Sequence, residues 1–497
     1  MKNVNPATFV LLAMILPLGL ATGCHHPESV ELGKGKEIRY EYNTDDIDQI
    51  KMTAPAASAD PDQEGWLKRY YEDKKKPASV PKVISKPMAA TEDIETVAAR
   101  ITFLKGTVKK AVNGAITGIT VSSSGDDPKS SITTEDMQAI GRLYDLETIS
   151  FEGDSFDDAK IAALSNLKKL KSVVINNSGI QTATLELLAQ LPELKTLEIR
   201  RDLKLDNSSL AALAAYPKLE RLYAHYNAFT NSGMAKISKV ASLKVVDVRG
   251  CTDVSDNGAK YLARLPELQE VHFRGMITNA GVEHLTNAPK LKYVEFQDCN
   301  EIDAGSVASF LKMPSLRELR LFRCKSFTDE ALKGIASIPF VRLELRDLNL
   351  SNEGLASLAG KETLKALEIS ELPGVDQTGL ADFLQTLSGL EELTLFAMPM
   401  GLDTLIAIED RMPDIKRLTL RAGALTDDVI DSILQLKKLE ELDLRENDQM
   451  TPEYLLHLGE LKSLKVLHLS GTSLSRPENA DSLKKLRKAL PKCRISG

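Results

Sequence analysis

Arginine, histidine and aromatic residues recur about 25 positions apart through the middle of this 497-residue chain. Arginine pairs bidentately with carboxylates and stacks on aromatic rings, and both kinds of residue are enriched where proteins bind one another. The residues that we predict to contact a partner are Tyr223, His225, Arg249, His272, Arg274, Tyr293, Arg320 and Phe322. This set favours recognition of another molecule's surface. Phe322 is expected to be exposed within it, and the alternative is that crowding by neighbouring side chains hides it.

Catalytic and metal-binding chemistry finds little support in the sequence. It contains no G-x-S-x-G or H-E-x-x-H motif, no C-x-x-C pair and no histidine at metal-ligand spacing. His225 and His272 would lie roughly 10 Å apart on a sheet, which is too far for direct proton transfer. We therefore predict that the protein is not an enzyme and that it binds no metal and no cofactor.

The candidate residues belong to a repeat whose period varies between 23 and 26 residues. Its apolar anchors are Leu146, Leu170, Leu194, Leu219, Leu243, Leu268, Leu291, Leu316, Phe340, Leu364, Leu390, Ile415, Leu439 and Leu464. Apolar side chains, or Ala224 in one copy, follow three and five positions after each anchor. The pattern L-x-x-L-x-L therefore occurs fourteen times, which predicts a solenoid built from one unit.

Each unit is expected to contain a strand followed by a helix. In the copy that starts at Leu243, residues 243, 246 and 248 point into the core, and residues 245, 247 and 249 point outward. Ser255 should then cap its helix by accepting a hydrogen bond from a free N–H group. Similar pairs precede later helices at Thr278-Asn279, Thr328-Asp329, Ser351-Asn352 and Thr426-Asp427. The outer layer is therefore predicted to be helical.

The outward strand positions admit arginine and exclude lysine. They are the second, fourth and sixth residues after each anchor, and these 42 positions hold ten arginines, eleven acids and no lysine. Lysines instead take the first position after the anchor, as at Lys171, Lys195, Lys244, Lys292, Lys365, Lys416 and Lys465. The face could be a structural charge lattice, a recognition surface or both, because exposed ion pairs contribute only about 0–1 kcal/mol each.

Cysteine and asparagine share the eighth position after the anchors. We predict that Asn227, Cys251, Cys299, Cys324 and Asn447 form a buried structural ladder at this position. Cys299 and Cys324 would lie on neighbouring strands about 4.8 Å apart, so a disulfide between them is an alternative if the protein is exported.

Two segments carry a family resemblance. V-S-D-N-G-A at residues 254–259 and I-T-N-A-G-V at residues 277–282 resemble the cysteine-containing class of leucine-rich repeats and exported bacterial lipoproteins of planctomycete type. The resemblance covers roughly Ile116 to Gly497. It implies an α/β fold, a right-handed leucine-rich-repeat solenoid (horseshoe) with a concave parallel sheet and convex helices, and it implies protein recognition as the function. Eukaryotic relatives that recruit ubiquitin-ligase substrates carry an F-box, and no F-box-like segment is evident here.

Residues 1–23 resemble a lipoprotein-type signal peptide. Lys2 supplies a positive end, residues 9–20 form a short apolar run, and small residues precede Cys24, which would be lipidated. A cleaved ordinary signal peptide is the alternative. Residues 24–90 contain many prolines and no sustained period, so we predict a flexible tether.

The remaining chain divides into an N-terminal cap and first strand at 91–145, a repeat array at 146–472 and a C-terminal cap at 473–497.

The net charge of -7 gives no general attraction to nucleic acid. The sequence thus predicts a membrane-tethered, non-catalytic scaffold in the bacterial cell envelope, on its periplasmic or surface face, that binds an unknown protein on its concave face. The alternative is a passive envelope or surface component that binds glycan or associates with itself. The partner and the oligomeric state do not follow from the sequence.

Overall fold

The computed structural model describes residues 94–125 and 131–497. The predicted signal peptide, Cys24 and the predicted tether lie outside the described residues. No helix within the described ranges is long and apolar enough to cross a membrane.

The described residues build one sheet of seventeen strands. The strands are β1 (Thr107–Lys110), β2 (Ile116–Ser122), β3 (Thr148–Glu152), β4 (Ser172–Asn176), β5 (Thr196–Arg200), β6 (Arg221–Tyr223), β7 (Val245–Asp247), β8 (Glu270–Arg274), β9 (Tyr293–Gln297), β10 (Glu318–Phe322), β11 (Arg342–Arg346), β12 (Ala366–Ser370), β13 (Glu392–Phe396), β14 (Arg417–Arg421), β15 (Glu441–Asp443), β16 (Val466–His468) and β17 (Arg494–Ser496). β1 is antiparallel to β2, and each later strand is parallel to the strands before and after it in the chain. The sheet does not close into a barrel, so the predicted α/β solenoid is confirmed. The antiparallel β1 was not predicted.

Short helices alternate with the strands. The α-helices are α1 (Ile94–Phe103), α2 (Thr134–Ile140), α3 (Asp158–Ile161), α4 (Thr182–Leu188), α5 (Asn231–Ile237), α6 (Asp256–Leu262), α7 (Asn279–Leu285), α8 (Val307–Leu311), α9 (Asp329–Ile335), α10 (Asn352–Ala356), α11 (Gln377–Gln385), α12 (Leu402–Arg411), α13 (Ile430–Gln435), α14 (Pro452–Leu455) and α15 (Ala480–Ala489). Between β5 and β6 the connection is a 3-10 helix, Ser209–Ala215. Further 3-10 turns are Ala162–Asn166, Ala304–Ser306, Asp427–Val429, Leu456–Glu460, Ser473–Ser475 and Pro477–Asn479.

The apolar repeat positions fill a single connected core that runs from Val97 to Leu490. Leu439, Leu442 and Leu444 of one L-x-x-L-x-L copy are completely buried. Each unit thus buries its apolar strand positions against its own helix and against the neighbouring units, as expected for a linear array.

The first residue of several helices bonds to the next repeat rather than capping its own helix. Asp256 Oδ1 accepts a hydrogen bond from the Thr278 N–H at 2.8 Å, and its Oδ2 accepts one from the Thr278 hydroxyl at 2.8 Å. The prediction that Ser255 caps its own helix is wrong, because its hydroxyl instead accepts a hydrogen bond from Asn231 Nδ2 of the preceding repeat. These side chains form a second ladder, which links successive helix starts.

The glycine of the V-S-D-N-G-A pattern makes room for this ladder. A Cβ atom on Gly281 would lie 2.4 Å from Asp256 Oδ1, and one on Gly354 would lie 2.0 Å from Asp329 Oδ1. Asp329 cannot swing aside freely, because it accepts hydrogen bonds from the backbone and the hydroxyl of Ser351. The glycine is therefore needed for close approach between neighbouring repeats.

Gly354→Ala should lower the free energy of unfolding by about 1–3 kcal/mol, the usual cost of overpacking. Chemical unfolding followed by circular dichroism measures the change. In an Asp329→Ala background the same substitution should cost less, because the clashing oxygens are gone. Equal losses in both backgrounds would contradict the contact.

Candidate functional site

The outward strand residues align in three rows across the sheet. We call them the strand-start row, the middle row and the strand-end row, for the second, fourth and sixth positions after each anchor. In the middle row, the register places Tyr223, Asp247, His272, Glu295, Arg320 and Glu344 side by side on β6 to β11. The sequence-predicted partner residues are therefore brought together on one face.

The middle row is buried at its centre. The side chains of Asp247, Glu295 and His272 are 1%, 1% and 7% exposed, and that of His225 in the neighbouring strand-end row is 5% exposed. Charged groups at this depth must be paired, because desolvation of an isolated charge is very costly. The centre of the predicted patch is consequently an internal ionic cluster.

Glu295 is the hub of this cluster. Its Oε1 accepts a hydrogen bond from Arg249 Nη1 at 2.8 Å, and its Oε2 lies 2.6 Å from His272 Nδ1. The Tyr293 hydroxyl donates to Oε2 at 3.3 Å, and Arg320 Nη1 lies 3.6 Å from Oε1. Burial by itself would raise the pKa of Glu295, but the hydrogen bond with His272 and the charges of Arg249 and Arg320 lower the pKa to about 2.

Asp247 and His272 complete the cluster. Arg249 donates to Asp247 from Nε and Nη2, and His225 Nε2 lies 2.8 Å from Asp247 Oδ2. Burial opposes ionisation of Asp247, yet the charges of His272, His225 and Arg249 hold its pKa well below the usual range. Burial likewise opposes the charged form of His272, but the charge of Asp247 and hydrogen bonds with Glu270 and Glu295 raise its pKa to about 10. Asp247, His272 and Glu295 are thus ionised across the physiological range.

Phe322 is not exposed, so that part of the prediction is wrong. Its side chain is 1% exposed, because the guanidinium groups of Arg323 and Arg346 cover the ring at 4.0 and 4.7 Å from its centroid. Crowding of long side chains in the strand-end row removes the ring from solvent, and stacking on guanidinium groups stabilises this arrangement.

The charged side chains that reach solvent lie in the strand-start row. Arg221 is exposed, and the side chains of Glu318, Arg342 and Arg417 are 38%, 36% and 47% exposed. Tyr223 of the middle row is half-buried and stands beside Arg221 on β6. Of the other predicted residues, Arg274 donates to Asp298 at 2.7 Å and keeps 27% of its side chain exposed. The sequence pattern correctly predicted which face of the sheet these residues share, but it did not predict which row of that face is exposed to solvent.

The eighth-position residues lie in the core. Asn227 Oδ1 accepts from the Asp202 N–H, and Asn227 Nδ2 donates to the Ile199 carbonyl, both at 2.9 Å. Asn447 makes equivalent bonds to the repeat before it. Cys251, Cys299 and Cys324 are fully buried, and their thiols contact carbonyl oxygens at 3.0, 3.3 and 3.4 Å. All four cysteines within the described ranges are free thiols.

Lysines at the first position after the anchor pair along the edge of the sheet. Lys171 Nζ lies 2.8 Å from Glu147, Lys416 Nζ lies 2.6 Å from Glu391, and in each case the partner belongs to the adjacent repeat. A flexible lysine at the strand edge can reach along the array. This pairing gives a physical reason for lysine at the edge, whereas the crowded outward rows use arginine.

No group of three or more histidines, cysteines or acids placed to hold a metal ion occurs among residues 94–125 and 131–497.

The comparison with protein families matches a leucine-rich-repeat model at residues 241–263 and 312–336. Among solved structures, the chain is similar to the Rad7 and Elc1 complex from yeast, at 15% identity and a TM-score of 0.48, over 88% of this chain and 95% of that one. It is also similar to the TLR13–ssRNA13 complex, at 16% identity and a TM-score of 0.42, over 72% and 58% of the two chains. A third similarity is to the internalin InlF from Listeria monocytogenes, at 17% identity and a TM-score of 0.33, over 84% and 98%.

The fold assignment rests on the sheet, the repeats and their registers. These features, with the two segments matched by the family model, support the identification of this chain as a leucine-rich-repeat protein.

Proposed function

We propose that this protein is a membrane-tethered, non-catalytic scaffold that binds a protein partner on the concave face of its repeats. The observation that carries the proposal is the strand-start row, where Arg221, Glu318, Arg342 and Arg417 stay accessible along the sheet and half-buried Tyr223 lies beside Arg221. Arginine and tyrosine are the residue types that most often dominate the free energy of protein association.

The buried cluster beneath this row supports the proposal. Several short hydrogen bonds fix Asp247 and Arg249 to Glu295, and their strands β7 and β9 lie next to β6 and β10, which carry Arg221 and Glu318. A rigid surface loses less conformational entropy on binding. The exposed ion pair of Arg342 with Glu318 is longer, at 3.6 Å, and a partner can exchange it.

Replacing Arg221, Tyr223 and Arg342 together with alanine should abolish partner capture, with at least roughly a tenfold loss of the recovered protein, since truncating a dominant contact typically costs about 2 kcal/mol. The measurement is affinity capture from the native envelope extract followed by mass spectrometry. The matched control replaces Arg264, Tyr261 and Lys312 of the helical layer and should retain the partner. Equal recovery with both triple variants would refute binding through the strand-start row.

Arg249 is a poor residue for this test. Its removal would take away one of the buried cations that pair with Asp247 and Glu295, so lost binding would be confounded with lost stability. A sugar signal on a glycan array with no protein recovered, or a defined oligomer without a partner, would favour the alternative of a passive envelope component.

The membrane tether belongs to the same proposal and is supported by the sequence of residues 1–24. We expect Cys24→Ser to move the protein from the membrane fraction to the soluble fraction of its native cells, because the acyl chains would be missing. Fractionation followed by immunoblotting measures this change. An unchanged membrane fraction would exclude anchoring through Cys24.

A further inference from the structure

The C-terminal cap carries a concentrated positive charge. Its exposed cations are Arg476, which precedes α15, and six residues on and after α15, Lys484, Lys485, Arg487, Lys488, Lys492 and Arg494; the only acidic side chains in the cap are Glu478 and Asp481. Within the part of the chain that the structure describes, none of these six cations makes an ion pair with a carboxylate. The chain as a whole has a net charge of -7, so this end differs in sign from the molecule around it.

Several lysines elsewhere on the array are paired. Lys169 Nζ lies 2.6 Å from Asp145, Lys416 Nζ lies 2.6 Å from Glu391, and Lys438 Nζ lies 2.8 Å from Asp414. In each of these pairs the acid belongs to the preceding repeat, and among the described residues no acid pairs in this way with the six cations of the cap. Arg487 and Lys488 lie in the last turn of α15, where their charges interact favourably with the helix dipole. The helix dipole does not account for the other four cations, which lie outside this turn.

The apolar side of α15 is already occupied. Leu483, Leu486 and Leu490 are buried against the end of the array, and Lys462 Nζ holds the helix end by donating to the Ala489 carbonyl at 3.1 Å. The helix therefore cannot insert an apolar face into a bilayer, and only its cationic face is available. Attraction to a partner through this face must be electrostatic.

We infer that the C-terminal cap binds the surface of an anionic phospholipid bilayer through the cationic face of α15 and the two cations that follow it. The cap contains no aromatic residue at positions 473–497, so it lacks the stacking groups that single-stranded nucleic acids require. Four of the six cations are lysines, which act as hydrated point charges and suit a diffuse layer of headgroups better than a single bidentate ligand.

Vesicle co-sedimentation of the full chain tests this inference. The vesicles are phosphatidylcholine alone, or phosphatidylcholine in which about a third of the lipid is replaced by phosphatidylglycerol. We compare the partition coefficients for anionic and neutral vesicles as a ratio. Membrane binding by the N-terminal segment that is equal for both vesicle types cancels in this ratio. One cation near an anionic surface changes this ratio about fivefold, so the wild type should prefer the anionic vesicles by more than about tenfold, and high salt should remove the preference.

The variant replaces Lys484, Lys485, Lys488 and Lys492 with glutamine. The control replaces Lys169, Lys171, Lys416 and Lys438, which changes the net charge equally but affects paired lysines. We expect the cap variant to lose the preference and the control to keep it, with unchanged circular dichroism in both. Equal preferences in the two variants would overturn the inference, as would a cap variant that loses binding to duplex DNA but not to anionic vesicles. Neither result bears on partner capture by the concave face.

Discussion

Glu295→Gln is expected to lower the free energy of unfolding by about 3–5 kcal/mol, the usual cost of removing one partner from a buried ionic group. Glutamine preserves the shape of the side chain but not its charge. Arg249, His272 and Arg320 would then share the remaining carboxylates of the cluster at 1% to 32% exposure, where water cannot compensate fully. Guanidinium unfolding of the intact chain, followed by circular dichroism, measures the loss.

The matched control is Glu318→Gln on the adjacent strand β10. The Glu318 side chain is 38% exposed and lies 3.6 Å from Arg342, so its loss should cost only about 0–1 kcal/mol. If Glu295→Gln costs no more than this control, Glu295 is not the hub of the cluster. A binding defect without loss of stability would instead make Glu295 part of the recognition surface.

The cluster also fixes a pH range of maximum stability. Because the pKa of Glu295 is lowered from 4.5 to about 2, its contribution is present above 4.5 and is lost as the pH falls towards 2. Because the pKa of His272 is raised from 6.5 to about 10, its contribution is present below 6.5 and is lost as the pH rises towards 10. The cluster therefore contributes most between about pH 4.5 and 6.5, and the Glu295→Gln defect should shrink at either extreme.

The repeat made the sheet and its register predictable. Positions such as Leu439, Leu442 and Leu444 show which residues enter the core. The same pattern after every anchor gives the same register to every strand, so Asp247 and His272 are identified as neighbours by counting from their anchors. The sequence also showed that the outward rows contain arginine and no lysine. These features depend on spacing alone, which a repeated sequence displays directly.

Depth within the concave face was not predictable, because it depends on how long side chains fold over one another. Phe322 occupies an outward position and is nevertheless covered by Arg323 and Arg346. The seventh residue after each anchor has a backbone conformation that was also not predicted. It takes positive φ whether it is glycine, as at Gly250 with 78°, or not, as at Asp298 with 55° and Arg323 with 54°. The packing of the repeats imposes this conformation, and the residue types at that position do not predict it.

Asp202 stands at the eighth position after its anchor, where Asn227 and Asn447 bond through their amides. It is completely buried, and its Oδ1 accepts hydrogen bonds from the N–H, at 2.8 Å, and the hydroxyl of Ser178. Its Oδ2 has no hydrogen-bond partner among the described residues. Burial raises the pKa of Asp202 from 3.8 to about 6, although the bonds from Ser178 oppose the shift. The folded protein thus holds a proton that the unfolded chain releases, so stability falls as the pH rises from 3.8 to about 6.

Asp202→Asn should therefore stabilise the protein by up to about 3 kcal/mol above pH 6, since a tenfold change in ionisation corresponds to about 1.4 kcal/mol. Asparagine keeps the acceptor for Ser178 and replaces the unpartnered oxygen with an amide that carries no charge. The gain should vanish near pH 3.5, where both states of the wild type hold the proton, and unfolding curves across this range measure it. Asn227→Asp is the mirror-image control, because it places a carboxyl at the same ladder position one repeat later and should destabilise the protein most above pH 6. A gain from Asp202→Asn that does not depend on pH would show that packing, and not the buried charge, limits the stability of this junction.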